Sequence, residues 1–147
     1  MKVSCNWVER MKFEAVSDGH NVVMDAKSPL GNDGAPSPKS MVLVAICGCT
    51  AMDVIALMKK YKQEVSKFTL DSEAEMVEKK MPKIFSRVRL AYRLEGKIEK
   101  NKLIEAVRLS QSKFCSVSAM IARVCPIEYS IYLNGEMIGE GRANFPS

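Results

Sequence analysis

The chain has 147 residues, 47% apolar and 27% charged, a balance that supports a folded core and excludes a disordered or fibrous chain. Its net charge of +5 comes from lysines and arginines interspersed with acids, and aromatic residues make up only 7%, which argues for a solvated surface rather than a nucleic-acid-binding face. Five cysteines, an odd number, and an N-terminus (MKVSCNWVER) without the apolar core of a secretory leader argue against a disulfide framework and predict a cytoplasmic protein with free thiols.

Residues 2–16 alternate, with Val3, Cys5 and Trp7 on one face and Met11, Phe13 and Ala15 on another. That period predicts half-buried strand bent near Glu9–Arg10. Ser17-Asp18-Gly19 is a turn signal and His20 to Ala26 a third strand, so an antiparallel meander is expected. The segment 27–38 is dense in Gly, Pro, Asn and Asp and reads as a loop. Ser37 is a candidate N-cap with Pro38 at the first helical position.

Pro38 to Gln63 then carries the central element. Between Met41 and Met58 only Thr50 and Asp53 are plainly polar, which predicts a helix buried on nearly all sides. The run approaches the length of a membrane span, but Asp53 in its middle, Gly48, the β-branched residues and the lack of a second span favour a core helix and no membrane. Lys59, Lys60 and Lys62 suit its C-terminus.

Phe68, Leu70, Ala74 and Met76 alternate with acids; Ile84, Val88, Leu90, Tyr92 and Leu94 alternate with Arg87, Arg89 and Arg93. Two long strands joined around Pro82 are expected, their opposite charges facing each other across an antiparallel pair. The basic row therefore needs no ligand. Gly96 is expected to end the second strand. Glu99 to Phe114 shows helical spacing, and Val117, Met120, Ile121 and Val124 repeat it; either one helix runs through Cys115 or a second begins there, capped by Ser116. Pro126 ends the helical region, and Ile127 to Leu133, Asn134-Gly135 and a return strand form a hairpin. The order predicts one α+β domain spanning 1–147, with antiparallel sheets around a long buried central helix.

Cys47 and Cys49 lie two positions apart on that helix, about 200° of rotation, so they face opposite ways and cannot share a metal or a disulfide. Cys47 reads as a small core residue. A zinc site is not expected, because there is no C-x-x-C and the single histidine, His20, reads as a surface or turn residue. Cys49 has Asp53 one turn on, on the same face; a carboxylate there disfavours thiolate unless a cation offsets it. Cys115 precedes a helix start, where free N–H groups favour thiolate. These thiols are either a reacting pair or two unrelated core cysteines. With one histidine and no Gly-rich phosphate loop, neither a Ser-His-Asp triad nor a nucleotide site can be assembled.

The run PSPKSMVLVAICGCTAMDVIALMKK resembles the central-helix signature of the OsmC/Ohr family, in particular an OsmC-like subgroup with a GCT-x-x-D-V helix, and KFCSVSAM resembles its second cysteine box. The similarity runs over essentially the whole chain. It implies an intertwined homodimer with two active sites at the subunit interface. It further implies a thiol peroxidase that reduces organic hydroperoxides without a bound cofactor, recycled by an external dithiol of lipoyl type. The peroxidatic cysteine falls on Cys49, the resolving cysteine on Cys115 and the catalytic arginine on Arg10. Two positions depart from the Ohr pattern: Lys39 stands where Ohr proteins have a glutamate, and Ser116 follows the second cysteine in place of proline. Asp53 then either orients Arg10 or holds the helix. The alternatives are a non-catalytic OsmC-like binder or redox sensor, and a structural dimer with inert thiols.

Overall fold

The computed structural model describes residues 1–79 and 81–146. The chain resolves into two compact units, Met1–Val44 and Ala45–Ser147. In the first, β1 (Val3–Glu9), β2 (Lys12–Ser17) and β3 (His20–Met24) form the expected antiparallel meander, with Cys5 opposite Ala15 and Phe13 opposite Met24. The predicted bend is a β-bulge between Trp7 and Glu9 followed by Arg10 at φ +43°. The expected half-burial of β1 is not met. All seven of its residues are exposed, and Trp7 keeps 66% of its surface. The alternation gives the strand an apolar face, and that face is exposed.

The loop after β3 is tied by one carboxylate. Buried Asp25 accepts hydrogen bonds from the backbone N–H groups of Ala26 (2.7 Å), Asn32 (3.2 Å) and Gly34 (3.1 Å). The turn-rich composition predicts the loop; the acid that organises it is not flagged by any pattern.

Helix α1 spans Pro38–Lys60. Ser37 caps it as expected, its Oγ accepting from Ser40 N–H at 3.2 Å. It stops short of Gln63 because Lys62 turns to φ +55° while Lys62 N–H and Gln63 N–H bond back to the Lys59 and Met58 carbonyls, a Schellman termination. Buried positions are Ile46, Thr50, Val54, Leu57 and Met58, one stripe at helical spacing. Val44 remains 55% exposed and Met52 74%. The helix is apolar nearly all round, yet within one chain it is buried along one side.

In the second unit β4 (Glu64–Met76), β5 (Phe85–Lys97), β6 (Ile127–Leu133) and β7 (Glu136–Arg142) form a sheet in that order. The predicted charge pairing holds: Arg89 meets Glu75 at 2.6 Å and Arg93 meets Asp71 at 3.1 Å. A pair of opposite sense joins Lys67 of β4 to Glu95 of β5 at 3.5 Å. Arg87, Arg89 and Arg142 also reach Glu128 on β6. These pairs are solvated and each contributes little. Two details differ from expectation. Strand β5 runs on through Gly96, at φ +139°, where a Cβ would meet the Glu64 carbonyl, so this glycine allows a close approach instead of ending the strand. And β5 pairs with β6 in parallel, because the intervening helices provide the crossover that a parallel pair requires.

That crossover contains α2 (Lys100–Leu109), a π turn (Ser110–Phe114) and α3 (Ser116–Ile121). A second helix therefore does begin after Cys115, but Cys115 itself is the N-cap. Val88, Leu90, Tyr92 and Leu94 of β5 are buried with Leu103, Ala106 and Val107 of α2 and Ile127 and Ile131 of β6, which gives the second unit a contiguous apolar core.

Candidate functional site

Cys49 and Asp53 project from the same face of α1, as their i, i+4 spacing requires. Cys115 comes from the junction of the π turn and α3. The two Sγ atoms and a carboxylate oxygen of Asp53 all lie within 4.8 Å of one another. Cys49 and Asp53 are half-buried and Cys115 is fully buried. Cys47 takes no part; it is directed to β4, its Sγ 3.9 Å from the Leu70 carbonyl.

The helix-start argument for a Cys115 thiolate is overturned. Its Sγ does accept the Ser118 N–H at 3.3 Å, but burial, the larger effect, pushes the thiol up to about 11. Desolvation outweighs one backbone donor and a six-residue helix. Cys115 is a protonated thiol at neutral pH.

A buried hydrogen-bonded chain supports the cluster. Ser110 Oγ donates to Asp53 Oδ2 at 2.8 Å. Ser110 Oγ and Tyr92 OH each lie 2.7 Å from Thr50 Oγ1. A hydroxyl has one proton, so with Asp53 ionised the order is fixed: Tyr92 donates to Thr50, Thr50 to Ser110, and Ser110 to Asp53. Gln111 Nε2 closes the set at 2.9 Å from Tyr92 OH, 3.0 Å from Thr50 Oγ1 and 3.1 Å from Ser118 Oγ. Among the described residues its buried Oε1 has no partner. Burial holds the Tyr92 phenol well above its ordinary value, so it stays a donor.

Sequence reasoning misses Tyr92, Ser110, Gln111 and Ser118. The usable signal is that Ser110 and Gln111 fall three and four residues after Val107, on the apolar stripe of α2, where polar side chains call for partners. The π turn, closed by Cys115 N–H to the Ser110 carbonyl at 3.0 Å, carries both inward; such turns are frequent at functional sites.

Arg10 and Lys39 belong to the first unit. Arg10 Nη1 donates to Asn32 Oδ1 at 2.8 Å and Nη2 to the Pro29 carbonyl at 2.5 Å, so the loop organised by Asp25 fixes its guanidinium. Lys39 is exposed in the first turn of α1. Among the described residues Asp53 has no lysine or arginine in ion-pair range.

Comparison with known proteins supplies the context. Residues 31–130 match the family described as OsmC-like protein. The chain is 34% identical to protein YhfA of Escherichia coli K12 over 135 residues, covering 88% of this chain and 96% of the relative. A hypothetical protein of Aquifex aeolicus VF5 superposes with TM-score 0.80 at 27% identity, covering 92% of this chain and 96% of that one. An organic hydroperoxide resistance protein OsmC of Legionella pneumophila shares the fold, with TM-score 0.68 at 15% identity over 89% and 95% of the two chains.

Proposed function

The chain belongs to the OsmC family, and from that premise we propose that it is a cysteine peroxidase that reduces organic hydroperoxides to alcohols. The observation that carries the proposal is the cluster itself: two thiols from separate elements and one carboxylate within 4.8 Å. The unequal burial of the thiols supports their order. Half-buried Cys49 is reachable by peroxide; Cys115, fully buried and protonated, is suited to act second.

In the first step the Cys49 thiolate attacks the distal oxygen of ROOH. The O–O bond breaks, sulfur is oxidised to the sulfenic acid, which keeps the hydroperoxide proton, and the alkoxide leaves as ROH after taking a proton from water. In the second step Cys115 sulfur attacks the Cys49 sulfur. Asp53 accepts the Cys115 proton and delivers it to the departing hydroxide, which leaves as water. The sulfurs close to about 2.05 Å, the π turn and short α3 supplying the movement. An external dithiol, of lipoyl type by family resemblance, reduces the disulfide and is itself oxidised. Arg10 is the cation of this reading, stabilising the thiolate and the leaving alkoxide; it is exposed, and hydrogen bonds to Asn32 and Pro29 hold its guanidinium. Lys39 does not supply the acidic partner of the Ohr pattern, and Asp53 provides the site's carboxylate instead. A second copy of the chain covers the exposed apolar faces of β1 and α1, making a homodimer. The setting is cytoplasmic defence against oxidative stress.

The test is a count of free thiols after one equivalent of an organic hydroperoxide. Wild type is expected to lose two thiols rapidly. Cys49→Ser is expected to lose none at that rate, and Cys115→Ser to stop at a sulfenic acid. Wild-type thiols that survive the exposure would overturn the reading.

A further inference from the structure

Asp53 and the two thiols form a donor set able to hold a cation. Deprotonated as metal ligands they carry three negative charges, and among the described residues no lysine or arginine pairs with the carboxylate. Two ligands one helical turn apart on one face are the arrangement by which helices present a pair of donors to a metal. The third comes from a separate element, which is why cysteine spacing in the sequence argues against a metal while the fold assembles the ligands.

We infer that the reduced chain binds one thiophilic divalent cation, of which zinc is the natural example, between Cys49 Sγ, Cys115 Sγ and the Asp53 carboxylate. Tetrahedral zinc places two sulfurs about 3.8 Å apart and sulfur and oxygen about 3.6 Å apart. The observed atoms, within 4.8 Å of one another, need to contract by no more than about 1.2 Å to reach that geometry. Two thiolates select zinc, cadmium or cobalt over the hard cations magnesium and calcium.

The groups behind the ligands fit as well. Ser110 Oγ holds Asp53 Oδ2 at 2.8 Å and leaves the other oxygen for the metal. Ser118 N–H donates to Cys115 Sγ at 3.3 Å, the backbone contact that steadies a bound thiolate. Half-buried Cys49 gives an entry path, and three protein ligands leave the fourth position to water. Binding releases the two thiol protons to solvent, with no change in oxidation state: two thiols, one carboxylate and M²⁺ give the complex and two protons. The disulfide form has no thiolates to offer, so oxidation and metal binding exclude each other. The bound ion thereby shields both cysteines from peroxide.

The inference is independent of turnover and shares only its residues with the peroxidase reading. Fully reduced full-length protein is titrated with Co²⁺ without oxygen. One equivalent is expected to produce a thiolate-to-cobalt charge-transfer band and intense tetrahedral ligand-field bands, both displaced by Zn²⁺. Asp53→Asn is expected to weaken cobalt binding at least tenfold, and Cys49→Ser or Cys115→Ser to abolish the two-thiolate band. Disulfide-form wild type, made with a chemical disulfide-forming oxidant, is a control that does not depend on a variant folding and is expected to show no band. No band in reduced wild type overturns the inference, as does a band unchanged in Cys49→Ser or Cys115→Ser. Cobalt binding without peroxide consumption sinks the peroxidase reading alone; peroxide consumption without cobalt binding sinks the metal inference alone.

Discussion

Each unit contains one inward-facing aspartate, and the two are held very differently. Asp25 accepts three backbone N–H groups from Ala26, Asn32 and Gly34, and these donors hold its carboxyl below the usual carboxylate range, led by Gly34. Its hydrogen-bonding capacity is spent on shaping a loop. Asp53 accepts a single hydroxyl from Ser110 and faces two thiols. A carboxylate saturated by backbone donors is a structural pin; one with a free oxygen beside nucleophiles is equipped for proton or cation chemistry.

Replacing each acid by its amide is the sharpest way to break the contrast. Asp53→Asn keeps the shape and the Ser110 contact but cannot take a proton. It is expected to slow Cys49–Cys115 disulfide formation about a hundredfold, within the range for general acid–base catalysis, with little change in melting temperature. Stopped-flow loss of the sulfenic acid measures it, and an unchanged rate would remove Asp53 from the mechanism. Asp25→Asn is expected to do the reverse, lowering the melting temperature while leaving the rate at which the Cys49 sulfenic acid is converted to the Cys49–Cys115 disulfide intact.

The pH dependence of stability separates the two regions further. The folded Asp25 value lies below its ordinary 3.8, so its contribution is present above that pH and lost as pH falls through the folded value. Asp25→Asn should flatten this acid limb of the melting curve. Cys115 has the opposite sign. Its folded value is raised from 9.0 to about 11, so the buried thiol's contribution is complete below about pH 9 and lost as pH rises toward 11. Cys115→Ala should flatten the alkaline limb, the smallest of these effects, seen by thermal denaturation between those pH values.

Much of this was legible in the residues. Alternation located the strands, the Ser37–Pro38 cap began α1, and the charge rows of β4 and β5 paired as their signs require. The i, i+4 placement of Cys49 and Asp53 followed from helical rotation alone. Other features depend on tertiary context. The parallel β5–β6 pairing is decided by the crossover, not by either strand's own pattern. The burial that keeps Cys115 protonated arises from packing, whereas sequence shows only its helix-start position. Likewise, an apolar run reads the same whether its own chain or a partner covers it, so the exposure of Val44, Met52 and Trp7 could not be foreseen.

The most direct test of the Cys49–Cys115 pairing is peptide mapping of the wild-type protein after one equivalent of an organic hydroperoxide under non-reducing conditions. The account predicts one disulfide, linking the peptides that contain Cys49 and Cys115, formed within a single turnover. A disulfide through Cys47, Cys5 or Cys125 instead, or five intact thiols, would contradict it.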